Sequence, residues 1–443
     1  MKKVLLIDFG ASRIKSAVCD LKTGRYFNYL SQSSVYPKIL DNVYFEVPIS
    51  SISKKFLEIC SFYSKHHIEA IAICSEMHGF SVFSPKCGFK TGYISWKDDR
   101  GNILIKGKSS IDIISEGIGE KFRSITGMKI KSGLPYVNLF YLGLKNKIQN
   151  GDMVLTLPES ILVYSGKLNE KKPFSHYTLS AGLGFYDIYK KQISTELMDF
   201  FCKETKKNII LGEYRDSGIV GYISIDSKRV PVLPATGDMQ TAILGAGNTK
   251  KTISINIGTG SQVSIISDLV KSKTNEQRPF FDNYILDTIT HIPAGRALNE
   301  YLNFINKISE KFGANNVNVW DFVRTIKMKD LLNSSLVFNL GIFPGAFRST
   351  GTGSITAIKE GSLTIENYVS SLLKSMALQY VEAINNINPK GREKIIISGG
   401  IPRKIPVLSK AISFYSNFKV EYPLEKEETI SGLRVFSSLF LGY

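Results

Sequence analysis

The sequence predicts an α/β protein built as two large lobes, and three observations carry that expectation. At 443 residues the chain is too long for one ordinary core, given roughly 100 to 200 residues per domain. Short apolar runs of strand length alternate with helix-like segments, the pattern of an α/β sheet. A strand, glycine turn and strand unit that opens the chain has a twin well past its middle, and such a repeat suggests duplicated domains. With 43% hydrophobic and 21% charged residues, there is ample material for packed interiors.

Val4 to Asp8 is a compact apolar run closed by an acid and Gly10. Ile14 to Asp20 is a second run before the Lys22-Thr23-Gly24 turn, so the two read as a hairpin. Ile52 to His66 reads as helix and Ile68 to Cys74 as a buried strand. Gly218 to Ile225 reads as a strand leaving the first lobe, with Pro231, Pro234 and Gly237 punctuating the chain beyond it. The division is therefore set at 230, with residues 1–230 as an N-terminal lobe and 231–443 as a C-terminal lobe. Thr252 to Gly258, followed by Val263 to Ile266, is the twin of the opening hairpin, and Lys394 to Ile397 is a further β-rich run.

Cys19, Cys60, Cys74, Cys87 and Cys202 are odd in number and form no close CxxC pair, which suggests neither a disulfide framework nor a zinc site and points to a reducing cytoplasm. The apolar run at the start is too short for a signal-peptide core or a membrane span, so no membrane association is expected. A net charge of +17 could attract nucleic acid. The pairs Lys54-Lys55, Lys206-Lys207 and Lys250-Lys251 are scattered, however, and interleave with no aromatic stripe, so a solvated lysine-rich surface is the expectation and nucleic acid is not.

Asp8-Phe9-Gly10-Ala11-Ser12 sets a carboxylate at a strand end before a turn whose amides and hydroxyl suit phosphate, with Lys15 on the adjoining strand. An ordinary tight hairpin would look the same. The second turn, Gly258-Thr259-Gly260-Ser261, shifts the balance, because two such loops from facing lobes can hold a polyphosphate while Asp8 holds magnesium directly or through water. In Thr236-Gly237-Asp238-Met239-Gln240, Asp238 falls near a helix start. One aspartate in reach of an attacking hydroxyl suffices as a base, and an N-cap is the plainer use of the same residue. Glu76-Met77-His78-Gly79 and Trp96-Lys97-Asp98-Asp99-Arg100 mix hydrogen-bonding groups with apolar or aromatic walls, as a polyhydroxylated ligand requires. A structural histidine and a surface ion pair between Asp98 and Arg100 are the alternatives. Ser398-Gly399-Gly400 and Gly295 would let backbone approach a flat ligand such as adenine, or mark plain strand-to-helix turns.

Taken in order with the terminal Glu427-Glu428-Thr429-Ile430-Ser431-Gly432, these segments resemble the FGGY carbohydrate kinases of the sugar kinase, Hsp70 and actin superfamily over nearly the whole chain. The resemblance implies two actin-like (ribonuclease H-like) domains with a ligand cleft between them. It implies ATP-dependent phosphorylation of a ketose or polyol hydroxyl, with Asp238 as base and Asp8 at Mg2+. Gly10, Ser12, Lys15, Gly258, Thr259 and Gly260 would surround the phosphates, and Gly295, Asn299, Gly399 and Gly400 would line the nucleotide. Met77, His78, Gly79, Asp98 and Arg100 would contact the sugar or support its pocket. Within the family, Asn256 to Gln262 and Arg278 to Phe281 before Ala294 to Asn299 look nearest to sedoheptulokinases, with xylulokinases next; a homodimer is left open. Three positions depart from the family pattern: Ala11 for threonine, Glu76 for glutamine, and His176 where xylulokinases tend to carry aspartate. An actin-like ATPase would share the phosphate loops but lack the sugar segments; a lapsed sugar-binding regulator fits the Ala11 and His176 departures, and intact Asp8 and Asp238 stand against it.

Overall fold

A computed structural model describes residues 2–35, 39–40, 43–169, 172–268, 275–314, 318–348 and 351–443. The opening strand, Lys3–Phe9, pairs antiparallel with Arg13–Asp20 and parallel with Ala70–Ser75. Tyr26–Ser33 extends the sheet beyond Arg13–Asp20, and Lys228–Val232 and Gly221–Ile225 extend it beyond Ala70–Ser75. The apolar run is continuous because both faces of this strand are covered. Leu5, Ile7 and Phe9 pack with the helices Ile49–Phe62 and Leu157–Tyr164, while Val4 and Leu6 pack on the opposite side with Ile243, Ile430 and Leu433. Side chains alternate across a strand, so Asp8 shares the face of Val4 and Leu6.

The second sheet repeats the first. Thr252–Ile257 pairs antiparallel with Ser261–Ser267 and parallel with Lys394–Ser398, Ile285–Ile292 extends one side, and Lys419–Glu421 the other. Ile253, Ile255 and Ile257 bury one face against the helices Gly295–Lys311 and Ile365–Asn386. The expected twin hairpins are therefore equivalent strands of two sheets with the same order and direction.

The chain leaves the first sheet later than residue 230, which lies inside Lys228–Val232; Thr236–Gly237 still pairs beside Ala70–Ser75. The helix Asp238–Gly245 follows directly, and the terminal helix Glu428–Leu441 returns across the second lobe to pack upon it. Close approach needs glycine on both helices: a Cβ on Gly245 would collide with the Glu428 carbonyl, and one on Gly432 with the Thr241 carbonyl. This crossing brings the two ends of the chain together at Asp8. No described helix is long and apolar enough to cross a membrane.

Candidate active site

Asp8 ends the first strand at 4% exposure, and both its oxygens are held. Thr429 Oγ1 donates to Oδ2 at 2.6 Å, and Cys74 Sγ, from the neighbouring strand, donates to Oδ1 at 3.5 Å. Burial raises the carboxyl above its ordinary range, against the Thr429 hydrogen bond and the Lys15 charge. Lys15 stands opposite Asp8 in the strand register, and its Nζ lies 2.8 Å from Glu427 Oε2. Gly10 closes the turn by donating its amide to the Arg13 carbonyl at 3.1 Å, and Ser12 is exposed at its tip.

Asp238 is the first residue of its helix and half-buried, where four free amides and the helix dipole favour negative charge. The Met239 amide donates to its Oδ1 at 2.8 Å. Burial, then the charges of Asp8 and Glu76, outweigh the Met239 and Met77 amides and lift its carboxyl to about 7. Asp8, whose charge raises Asp238, is an oxygen donor that a hard divalent cation fits, and a magnesium ion ordinarily takes only one or two protein carboxylates. No cluster of three or more His, Cys, Asp or Glu side chains is placed to hold a metal by itself among the described residues.

Met77 and His78 follow the strand Ala70–Ser75, and the Met77 amide reaches Asp238. His78 Nδ1 lies 3.0 Å from the Gly182 carbonyl, which can only accept, so Nδ1 carries the proton. Burial, then the positive charges of Arg278 and Lys131, push His78 down to about 3. The ring is therefore neutral at pH 7, and Nε2 is an acceptor for a hydroxyl. Gly79 packs against Tyr93.

Asp98 and Arg100 serve differently from a ligand-contacting pair. Asp98 is 0% exposed and takes Arg100 Nε at 2.7 Å and Nη2 at 2.8 Å, with the Phe45 amide on Oδ2 at 2.8 Å. Arg100 also reaches Glu46 at 2.9 Å. Neither a surface pair nor a direct sugar contact matches this geometry; the two hold the loop that presents Trp96, which is half exposed. His176 likewise points inward, capping the helix Tyr177–Ser180 by accepting from the Thr178 amide and stacking 4.1 Å from Tyr177. The other two departures are neighbours: Ala11 and Glu76 line one small cavity of about 30 Å³ with Tyr93 and Ser95. Glu76 Oε2, the Tyr93 hydroxyl and Ser95 Oγ converge there without a well-formed hydrogen bond, and the space is large enough for a water molecule.

In the second lobe, the Gly258 and Thr259 carbonyls accept from the Gly295 and Arg296 amides, each at 3.0 Å. All peptide bonds described are trans, so the Thr259 and Gly260 amides point the opposite way, away from the helix. Ser261 is pinned behind them, accepting from Tyr380 at 2.8 Å and donating to the Ile292 carbonyl at 2.9 Å. Gly258, Thr259, Gly295, Asn299 and Gly400 line one cavity of about 580 Å³. Gly260 and Gly399 do not. Gly399, at φ +93°, instead turns the chain where a side chain would strike the Ile257 carbonyl. Trp320 and Ile401 give the cavity apolar walls, and Arg324 and Lys404 add cations; sequence reasoning missed all of them. Trp320 is one of only two tryptophans, and Lys404 ends the one-turn helix Gly400–Lys404 after the glycine pair, so both left a signal.

No protein-family model and no curated protein matches the sequence. Among solved structures, xylulose kinase from Lactobacillus acidophilus superposes with a TM-score of 0.81 at 17% identity, covering 100% of this chain and 90% of that one. Gluconate kinase from Lactobacillus acidophilus gives 0.81 and 17%, covering 100% and 89%. Plasmodium falciparum glycerol kinase with ADP gives 0.78 and 15%, covering 100% and 90%. At such identities the likeness establishes the fold: this chain has the α/β architecture of two actin-like domains found in these carbohydrate and polyol kinases.

Proposed function

We propose that the protein is an ATP-dependent carbohydrate kinase that phosphorylates a hydroxyl of a ketose or related polyol, with Asp238 as general base. The observation that carries this is Asp238 itself, a carboxyl lifted to about 7 at a helix start beside Asp8. Such a group is half ionised near neutral pH and accepts the proton of an attacking hydroxyl efficiently.

The acceptor lies along Met77 and His78, where His78 Nε2 takes a hydrogen bond from one hydroxyl and the Trp96 ring gives an apolar face. Asp98 and Arg100 keep that loop in place. Asp238 takes the proton from the attacking oxygen as it bonds to the γ-phosphorus, and the bond to the β,γ-bridging oxygen breaks. The amides of Thr259 and Gly260 face the phosphates, and Lys15 exchanges Glu427 for the phosphate tail. Adenine rests against Trp320 and Ile401, beside Gly295, Asn299 and Gly400. Asp8 would hold magnesium, which would supply positive charge against the transferring phosphoryl group.

A seven-carbon ketose, then xylulose, is the acceptor suggested by the resemblance around Asn256 to Gln262 and Arg278 to Asn299. The test is ADP release across ketoses and polyols of about five to seven carbons, with mass spectrometry of the products. Acceptor-dependent ADP release with a phosphorylated product is expected. Equal ADP release without any acceptor would identify an ATPase instead.

A further inference from the structure

Beside His78 lies a concentration of charge that phosphoryl transfer to a neutral sugar leaves without a use. Arg278 and Glu276 are buried at 4% and 5% exposure and paired at 2.7 Å. Lys131 Nζ approaches the same carboxylate at 3.9 Å. Burial works to raise the Glu276 carboxyl, yet Arg278 and then Lys131 pull it down to about 2, so it stays charged and answers only one of two cations. Lys131 is thus only loosely paired, and its partly exposed amine is open to an entering anion.

These groups border a cavity of about 950 Å³ between the lobes, lined by Lys131, Glu276, Lys129, Asp99, His291 and Arg348 among others. Arg348 is answered outside it by Glu382. Counting Arg278 behind the wall, four cations (Lys129, Lys131, Arg278, Arg348) face three carboxylates (Asp99, Glu276, Glu382), one positive charge in excess. Two of its lining residues hold left-handed backbone: His291 at φ +59° and Arg348 at +52°. Such strain in non-glycine residues gathers at ligand sites. The cavity lies beside the acceptor side of the cleft: Asp99, three residues after Trp96, lines it, and the charges of Arg278 and Lys131 act on His78.

We infer that the acceptor carries an anionic group, a carboxylate or a phosphoester, at the end remote from the phosphorylated hydroxyl, and that Lys131 binds that group in the interlobe cavity. This rests on the kinase reading and changes its acceptor from a neutral sugar to a charged one. Lys131 is the recognition residue because its side chain is still 35% exposed, whereas Arg278 is sealed behind Glu276.

The experiment compares neutral polyols, aldonates and terminal sugar phosphates of matched chain length in two assays on the full chain. The first is kcat/KM from ADP release, and the second is calorimetric binding without nucleotide. Preference for one anionic class over its neutral counterpart by about tenfold or more is expected, as a charge-assisted hydrogen bond supplies, and the class preferred tells carboxylate from phosphoester. Lys131→Met should shrink that preference to within about threefold and Lys131→Arg should restore most of it. Neutral acceptors used as well as anionic ones, or an unchanged preference in a folded Lys131→Met protein, would overturn the inference while the kinase reading stands. If no acceptor is phosphorylated the kinase reading fails. Calorimetric binding of an anionic polyol that Lys131→Met weakens would still uphold the anion site, and no binding would overturn it.

Discussion

The two glycine turns occupy equivalent places in equivalent sheets, yet carry opposite chemistry. In the first lobe Asp8 sits two residues before Gly10, pairs in register with Lys15, and takes a hydrogen bond from Cys74 on the parallel strand. In the second, Asn256 sits two residues before Gly258, pairs with Gln262, and donates to Ser398 on the parallel strand at 2.9 Å. Duplication kept the scaffold, while charge remained on one side only. A carboxylate is useful where a cation must be held and harmful where phosphates must lie against backbone amides. Under the proposed function, the first turn would hold metal and the second nucleotide.

Exchanging the two chemistries is the most direct way to break that assignment. Asp8→Asn gives the first turn the side chain of its twin, and should lower kcat by on the order of 100-fold while nucleotide still binds. Magnesium titration followed by intrinsic tryptophan fluorescence checks the cause, since the variant should lose its magnesium response. The reverse change, Asn256→Asp, sets a negative charge against the phosphates and should raise KM for ATP about tenfold with KM for the acceptor little changed. Equal effects on both substrates would deny the division of labour.

Thr429→Val sharpens the comparison, because no described residue plays its part in the second turn. Losing the hydrogen bond to Asp8 Oδ2 should weaken magnesium and lower kcat/KM about fivefold to tenfold. Thr429→Ser should recover most of it.

The smallest effect concerns pH. Asp238 is lifted to about 7 by burial and then by Asp8 and Glu76, and a base works only when deprotonated. Activity should therefore rise with pH through a limb near 7 in kcat/KM, which reports the free enzyme. Glu76→Gln removes one negative neighbour and should move that limb down by a few tenths of a pH unit to about one unit. A limb that moves upward would contradict the stated cause.

What the sequence disclosed was local. Val4 to Ile7 reads as a strand because both faces need apolar cover, and Asp238 reads as a helix start because Gly237 precedes an apolar segment; both hold in the fold. The like order of the two hairpins was visible for the same reason. Relations across the whole chain were not. Nothing near Thr429 announces a bond to Asp8, which depends on two helices meeting through Gly245 and Gly432. The division at 230 cuts a strand because Lys228–Val232 pairs with residues far back in the chain. Asp98 and Arg100 were legible as a pair, but their burial was not, since the Phe45 amide and Glu46 that complete it come from a distant segment. Likewise Arg278, grouped by resemblance with the nucleotide side, carries its charge to His78.

The central claim is that Asp238 accepts the proton of the attacking hydroxyl. Acceptor-dependent ADP release by Asp238→Asn at saturating magnesium-ATP measures it most directly, with nucleotide binding and thermal unfolding as controls. The account predicts turnover lower by about 100-fold or more with both controls intact, as expected for loss of a positioned base. Turnover at the wild-type rate in that folded, nucleotide-binding variant would contradict it.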